Sequence, residues 1–253
     1  MFLVLSRKRL FNFVVLVVIV VVFLVFGFVY LSTTTYVAKE PRLIPVYNVE
    51  TTEKVIAFTF DAAWGADKTE DILNILDSYD VSATFFLVGF WVAKYPDMVK
   101  EIDERGMLIG NHSNNHLNMT VIDRANMELE IDRVNLEIKE LTGKEPIFFR
   151  APYGAYNNEL IKCVTDNGMV PIQWDVDSLD WKGLRAKEIK GRVLDKVKCG
   201  SIVLFHNNSD NITEALPIIL VELISQGYSF KTLDELVLTE NYYVDNQGVQ
   251  HAN

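Results

Sequence analysis

The sequence predicts an α/β domain built on a parallel sheet, most economically closed or nearly closed into a barrel, behind one apolar N-terminal segment. Three observations lead there. From Val55 onward, short β-branched or aromatic runs alternate with helically patterned segments in about seven β-then-α units. Strong turn punctuation falls inside this stretch without a break in composition, which keeps it one domain. Acids, histidines and an arginine follow the strand candidates, at the strand ends where barrels of this kind gather their chemistry.

The chain begins with a different kind of segment. Leu10–Leu31 carries no charge and is interrupted only by Asn12 and Gly27. Roughly 20 apolar residues, at about 1.5 Å each, span the hydrocarbon of a bilayer. Arg7, Lys8 and Arg9 precede the run, so the excess of positive charge keeps the N-terminus cytoplasmic and exports the remainder. A cleavable signal peptide is the competing reading, but its apolar region is about 7–15 residues and ends at a small-residue cleavage site. The longer run here, followed by Leu31-Ser32-Thr33-Thr34-Thr35, favours an uncleaved signal-anchor. Residues 1–31 are therefore read as cytoplasmic stub and transmembrane segment, 32–52 as a linker, 53–238 as the folded domain and 239–253 as a polar, frayed tail.

Without residues 1–31 the chain carries 21 Lys+Arg against 34 Asp+Glu. Such an acidic surface argues against nucleic acid, whose binding depends on neutralising phosphates. A hydrophobic content of 49% and an aromatic content of 11% suffice for a packed core and exclude a disordered chain. Cys163 and Cys199 are the only cysteines. Export permits a disulfide, but two cysteines alone carry no framework pattern.

Taken in order, the elements follow from periodicity and punctuation. Val55–Phe60 reads as a strand, and Thr69–Ser78 as a helix with Ile72, Leu73, Ile75 and Leu76 at helical spacing. Ala83–Val88 is the next strand, then Tyr95–Arg105 a helix ended by Gly106. Met107–Gly110 is a short strand, and Asp123–Leu141 a long amphipathic helix stopped by Gly143. Ile147–Phe149, Met169–Trp174 and Ser201–Phe205 are further strands, separated by helices at Asn158–Asn167 and Ala186–Lys198. Ile212–Gln226 and Thr232–Leu238 are helices flanking a short Tyr228–Phe230 strand.

Five of these strands end in chemistry. Asp61 follows VIAFTF, the Asn111–His116 stretch follows MLIG, and Arg150-Ala151-Pro152-Tyr153-Gly154 follows IFF. Asp175, Asp177, Asp180 and Trp181 follow the VPIQW run, and His206 follows SIVLF. His112 and His116, at spacing i, i+4, offer two nitrogens to one divalent metal, or are a pair of loop histidines without one. Asp61, desolvated at a strand end, is a candidate base, or else a strand terminator or helix cap. Arg150 suits a bidentate clamp on a carboxylate or a structural ion pair. His206 suits general acid work near neutral pH, or is a core histidine; Asp180 orients its imidazole or caps a loop. Trp181 and Tyr153 line a sugar groove or belong to the core.

At these residues the sequence resembles the polysaccharide deacetylases of carbohydrate esterase family 4, the NodB-homology domain. FTFDAAWG (58–65), HSNNH (112–116), RAPYG (150–154), DSLDW (177–181) and LFH (204–206) stand in the family's order between Glu53 and about Leu238. Within the family, the anchored single domain and the FDAAWG segment are most similar to the sporulation-associated branch of endospore-forming bacteria. The resemblance implies a distorted (β/α)7 barrel that removes N-acetyl groups from peptidoglycan or spore-cortex glycan, with a divalent metal, usually zinc, held by one Asp and two His. It places His112 and His116 at the metal, Asp61 as catalytic base, Arg150 beside it, the Tyr153 N–H at the oxyanion and His206 as general acid. Asp180 then tunes His206, and Trp181 walls the groove. One departure stands out. The family's first motif has two consecutive aspartates, base then metal ligand, and here Ala62 occupies the second position. Two imidazoles alone bind zinc more weakly than three protein ligands, and Asp67 replaces the missing carboxylate only if its loop folds back. The alternative to a working deacetylase is therefore a catalytically impaired, membrane-tethered protein that binds glycan.

Overall fold

The computed structural model describes residues 6–33 and 40–253. These divide into two units, one ending at Pro41 and the other comprising Arg42–Asn253. In the first, α1 (Arg7–Thr33) is a single helix. Its stretch Arg7–Val29, with a mean hydropathy of 3.2, is long and apolar enough to cross a membrane. Most of the remaining linker expected between residues 32 and 41 lies outside the described residues.

The second unit begins with β1 (Asn48–Val49) and β2 (Val55–Ala62). Every residue of β2 is buried, as expected of a central strand in a parallel sheet covered on both faces. Its one interior hydroxyl, on Thr59, donates to the Val203 carbonyl at 2.7 Å, so no polar atom is stranded there. There follow α2 (Thr69–Ser78), β3 (Thr84–Leu87), α3 (Gly89–Lys94), α4 (Pro96–Glu104), β4 (Leu108–Asn111) and α5 (Arg124–Thr142). Next come β5 (Phe148–Phe149), α6 (Asn158–Asp166), β6 (Val170–Pro171), β7 (Val176–Asp177), α7 (Ala186–Leu194) and β8 (Ile202–His206). The chain closes with α8 (Ile212–Ser225), β9 (Ser229–Phe230), α9 (Leu233–Leu236), β10 (Tyr242–Val244) and β11 (Val249–Ala252).

The main sheet runs in the order β6-β5-β4-β3-β2-β8-β7, all parallel, with β9 beside β2. It is the curled sheet of a distorted barrel, open between β6 and β7. The segment leading into β1 touches both sides of that opening: Val46 pairs with Ile172 next to β6, and Asn48 with Ser201 next to β8. Ile56, Phe58, Phe60, Phe85, Phe205 and Val203 form the core between sheet and helices, while Ala57, Phe86, Phe148 and Ile202 fill the inside of the curl.

Several elements differ from the expected ones, for local reasons. The helix expected over Tyr95–Arg105 is present as α4, and an unexpected short helix, α3, precedes it; Pro96 separates the two by disfavouring helical geometry at Tyr95, which lies at φ −129°, ψ 54°. The expected Met169–Trp174 strand pairs over Val170–Pro171 and bridges at Ile172; the chain then breaks and resumes as β7. Helix α5 stands close to its expected bounds. The Asp123 side chain caps it through the Asn126 N–H at 2.9 Å, and Gly143 ends it at φ 74°. The tail beyond residue 239 is not frayed. β10 and β11 form an antiparallel hairpin, and β11 pairs in parallel with β1, within the stretch expected to be linker. Gln250, fully buried, fixes the hairpin by exchanging hydrogen bonds with the Leu238 backbone on both its carbonyl and amide groups. This pairing partner lies some 200 residues away in sequence, beyond the reach of any local pattern. Both cysteines are free, with Cys163 buried.

Candidate active site

The C-terminal ends of β2, β4 and β8 carry Asp61, His112 and His206 to one side of the sheet. In register, Asp61 pairs with His206 across β2 and β8, and Asn111, just before His112, pairs with Leu87 of β3. A cavity of about 530 Å³ opens there, lined among others by Asp61, His112, His116, Tyr153, Asp180, Trp181 and His206. All eight residues singled out from the sequence converge on this place, Arg150 lying just beneath the floor.

Arg150 is fully buried and donates from Nη1 to Asp61 Oδ1 at 2.8 Å and from Nη2 to the Gln173 carbonyl at 3.1 Å. Its guanidinium lies 4.2 Å above the Phe86 ring and 5.4 Å from that of Trp174. Burial pushes the Asp61 carboxyl upward, but the Arg150 charge, His112, His206 and the Arg150 hydrogen bond together hold it below the ordinary carboxylate range. Asp61 is therefore an anion at neutral pH.

The three histidines of the site are shifted in two directions, His112 and His116 down and His206 up. His112 Nδ1 stands 2.8 Å from the Arg150 carbonyl; a carbonyl only accepts, so the proton sits on Nδ1 and the lone pair on Nε2. That lone pair faces Asp61 Oδ2 across 3.4 Å. Burial keeps His112 below its usual value. His116 is pushed down to about 4, by burial first and by His112 second, and its Nδ1 is buried without a hydrogen-bond partner. His206 goes the other way. Burial lowers it, yet the Asp180 hydrogen bond at 2.8 Å and the Asp180 charge raise it above its usual value. Asp180 also accepts the His206 and Trp181 backbone N–H groups, which fixes both residues behind the cavity.

The residues present fall short of the metal that the resemblance implies. Among the described residues no group of three His, Cys, Asp or Glu side chains stands in position to hold an ion. Ala62 is fully buried within the apolar cluster that includes Phe60 and Leu87, and supplies no donor. Asp67 does not line the cavity. Two imidazoles remain where catalytic zinc takes three protein ligands.

The comparisons with known proteins bear on this geometry. A family model described as polysaccharide deacetylase matches residues 48–172. A peptidoglycan-N-acetylglucosamine deacetylase of Bacillus cereus is 35% identical over 204 residues, 78% of this chain and 95% of that protein. The chain belongs to the polysaccharide deacetylase family. YlxY of Bacillus subtilis is 32% identical over 193 residues, 76% of this chain but only 60% of that longer protein. BA3943 of Bacillus anthracis, a carbohydrate esterase family 4 pseudoenzyme, superposes with a TM-score of 0.74 at 33% identity, covering 77% of this chain and 69% of that one. A BA3943 mutant is described as having restored enzymatic activity. These matches establish the distorted barrel and the hydrolase family.

The sequence reading missed the supports. Glu130 on α5 is buried and accepts from the Asn115 backbone and side chain, holding the loop between the two histidines. Asn111 receives the Ser113 N–H on its side-chain oxygen and donates to the Ile131 carbonyl. Asn207 donates to the Gly65 carbonyl and to Thr69. Asn111 and Asn207 carried a signal, each standing beside a histidine at a strand end, whereas Glu130, in mid-helix, carried none.

Proposed function

We propose that this chain is a membrane-anchored, extracytoplasmic deacetylase of N-acetylated cell-wall glycan, peptidoglycan or a close relative, working with an incomplete metal site. The observation that carries the reading is the pairing of two groups on adjacent strand ends in one cavity: an anionic carboxylate fixed by Arg150 and an imidazole raised by Asp180. A binding protein has little need of both. In this reading Asp61 takes the proton of an attacking water, and the Tyr153 N–H donates to the oxygen that becomes negative. His206, protonated through Asp180, gives its proton to the departing amine. Trp181 walls the sugar. His112 and His116 are the two side chains left to hold a divalent metal, zinc being the family's usual choice. Anchoring is supported by α1 and the basic residues of its first turn, with the N-terminus cytoplasmic. The sporulation setting, with the forespore or spore envelope as its place, rests on the FDAAWG resemblance alone.

A second reading is favoured by Ala62 and by the pseudoenzyme BA3943: the same pocket binds glycan without cleaving it. Acetate release from N-acetylated peptidoglycan by the detergent-solubilised full chain separates the two, run with excess zinc and with chelator. The deacetylase reading expects release, lost in both Asp61→Asn and His206→Ala. Glycan binding with no acetate released under either condition refutes it and leaves the second.

A further inference from the structure

The mouth of the cavity presents an unusual amount of bare aromatic surface. Trp64 is 58% exposed, Tyr153 70% and Trp181 58%, although indoles and phenols normally go inside. Trp64 and Tyr153 flank His116 edge to face, with ring centroids 5.0 Å and 4.7 Å from the imidazole. Phe90 stands behind Trp64 at 6.3 Å. The three rings Trp64, His116 and Tyr153 thus make one continuous aromatic edge.

That edge is held rigidly. His116 and Tyr153 both sit in the left-handed region, at φ 53° and 61°, a conformation that costs a non-glycine residue free energy and persists only where surroundings impose it. The carbonyl of Gly65, directly after Trp64, accepts from Trp91 Nε1 at 2.7 Å and from Asn207 Nδ2 at 2.9 Å. Two buried side chains therefore pin the backbone of a loop whose own indole faces solvent. A loop ordered at that cost around an exposed ring is preorganised for a flat, weakly polar partner. A pyranose offers such a face, since its axial C–H bonds meet the electron-rich face of an aromatic ring while its hydroxyls remain in water.

We infer that Trp64 is a glycan-binding residue, which with Tyr153 forms a sugar-stacking platform across from Trp181 and grips the glycan without a metal. The inference rests on the glycan reading above and extends it: in the FDAAWG segment, which lacks the second carboxylate, Trp64 supplies binding that needs no ligand at position 62.

The test is calorimetric titration of the detergent-solubilised full chain with soluble peptidoglycan glycan strands in excess chelator. Wild type is expected to bind. Trp64→Ala is expected to weaken binding at least tenfold, about 1.4 kcal/mol, and Trp64→Leu, which keeps bulk without an aromatic face, by nearly as much. Trp64→Phe is expected to stay within about threefold of wild type, with unchanged melting temperature in all three because the ring is exposed. Should Trp64→Ala fail to fold, Trp64→Leu carries the comparison. Binding by either variant within twofold of wild type overturns the role of Trp64 while leaving the glycan reading intact. A wild-type chain that binds no glycan overturns both. Binding that appears only with added zinc overturns the metal-free grip.

Discussion

Asp180→Asn isolates what one carboxylate does for His206. Asp180 Oδ1 takes the His206 ring proton at 2.8 Å and the Trp181 N–H at 2.9 Å, and Oδ2 takes the His206 N–H at 2.8 Å. An asparagine of the same shape offers one oxygen and one NH2, so at least one buried donor is left facing another donor. A hydrogen bond to a charged group contributes about 1.5–3 kcal/mol, and a stranded buried donor costs about 1–3 kcal/mol. The expected loss is about 3–5 kcal/mol at low pH. Losing the ring's charge-assisted bond lowers the His206 pKa. Burial is then opposed only by the Asp61 and Asp177 charges, and His206 moves down from its wild-type value.

The stability consequence follows from that shift. In wild type the folded-state pKa lies above the unfolded one, so the stabilisation is complete below about pH 6.5 and is lost as pH rises through the folded value. In Asp180→Asn the folded value lies lower, so less stabilisation is gained as pH falls through it. The difference between the two proteins is therefore largest in acid and shrinks toward pH 9. NMR titration of the histidine resonances, of which the chain has only 4 to assign, measures the pKa directly. Thermal melts at pH 5.5 and 9 measure the linked stability. A His206 pKa unchanged by the substitution, or a stability difference flat with pH, refutes the assignment of Asp180 as the group that raises it.

Further outcomes follow from the same contacts. Ala62→Asp is expected to supply the missing third ligand and raise zinc affinity by at least a hundredfold in calorimetry; unchanged affinity would show that the strand end, not only the side chain, has diverged. Chelator is expected to leave the wild-type melting temperature within about 1 °C, since among the described residues no three-donor group stands ready; a clear drop would reveal a resident structural ion. Gly200→Ala drives a Cβ into the Val49 carbonyl oxygen at φ +78°, between β1 and the start of β8. It should cost about 3 kcal/mol or more, a fall of about 6–12 °C at this size, and a melt unchanged within error would mean that the β1 segment is not held there.

How far the chain was legible depended on the distance over which each feature is decided. The hydrophobic run of β2, the capping of α5 and the placement of Asp61 and His206 at strand ends are local, set by periodicity and by residues within a few positions. The β10–β11 hairpin was not legible, because its partner β1 lies at the far end of the domain and its pattern is short and polar. The break between α3 and α4 was legible in principle through Pro96, but the short run before it carried too few residues to read as a separate helix.

The sequence by itself determined the class of fold, the family and the residue types at the strand ends, since five ordered motifs and a seven-unit alternation are properties of the string. It also determined the gap at position 62, because an alanine carries no donor in any fold. Only the tertiary structure decided the protonation pattern of the site. Whether His206 is raised and His116 pushed down to about 4 depends on which buried group faces each ring. Those neighbours arrive from strands and loops many residues apart, and electrostatic interaction falls with distance in space, not along the chain.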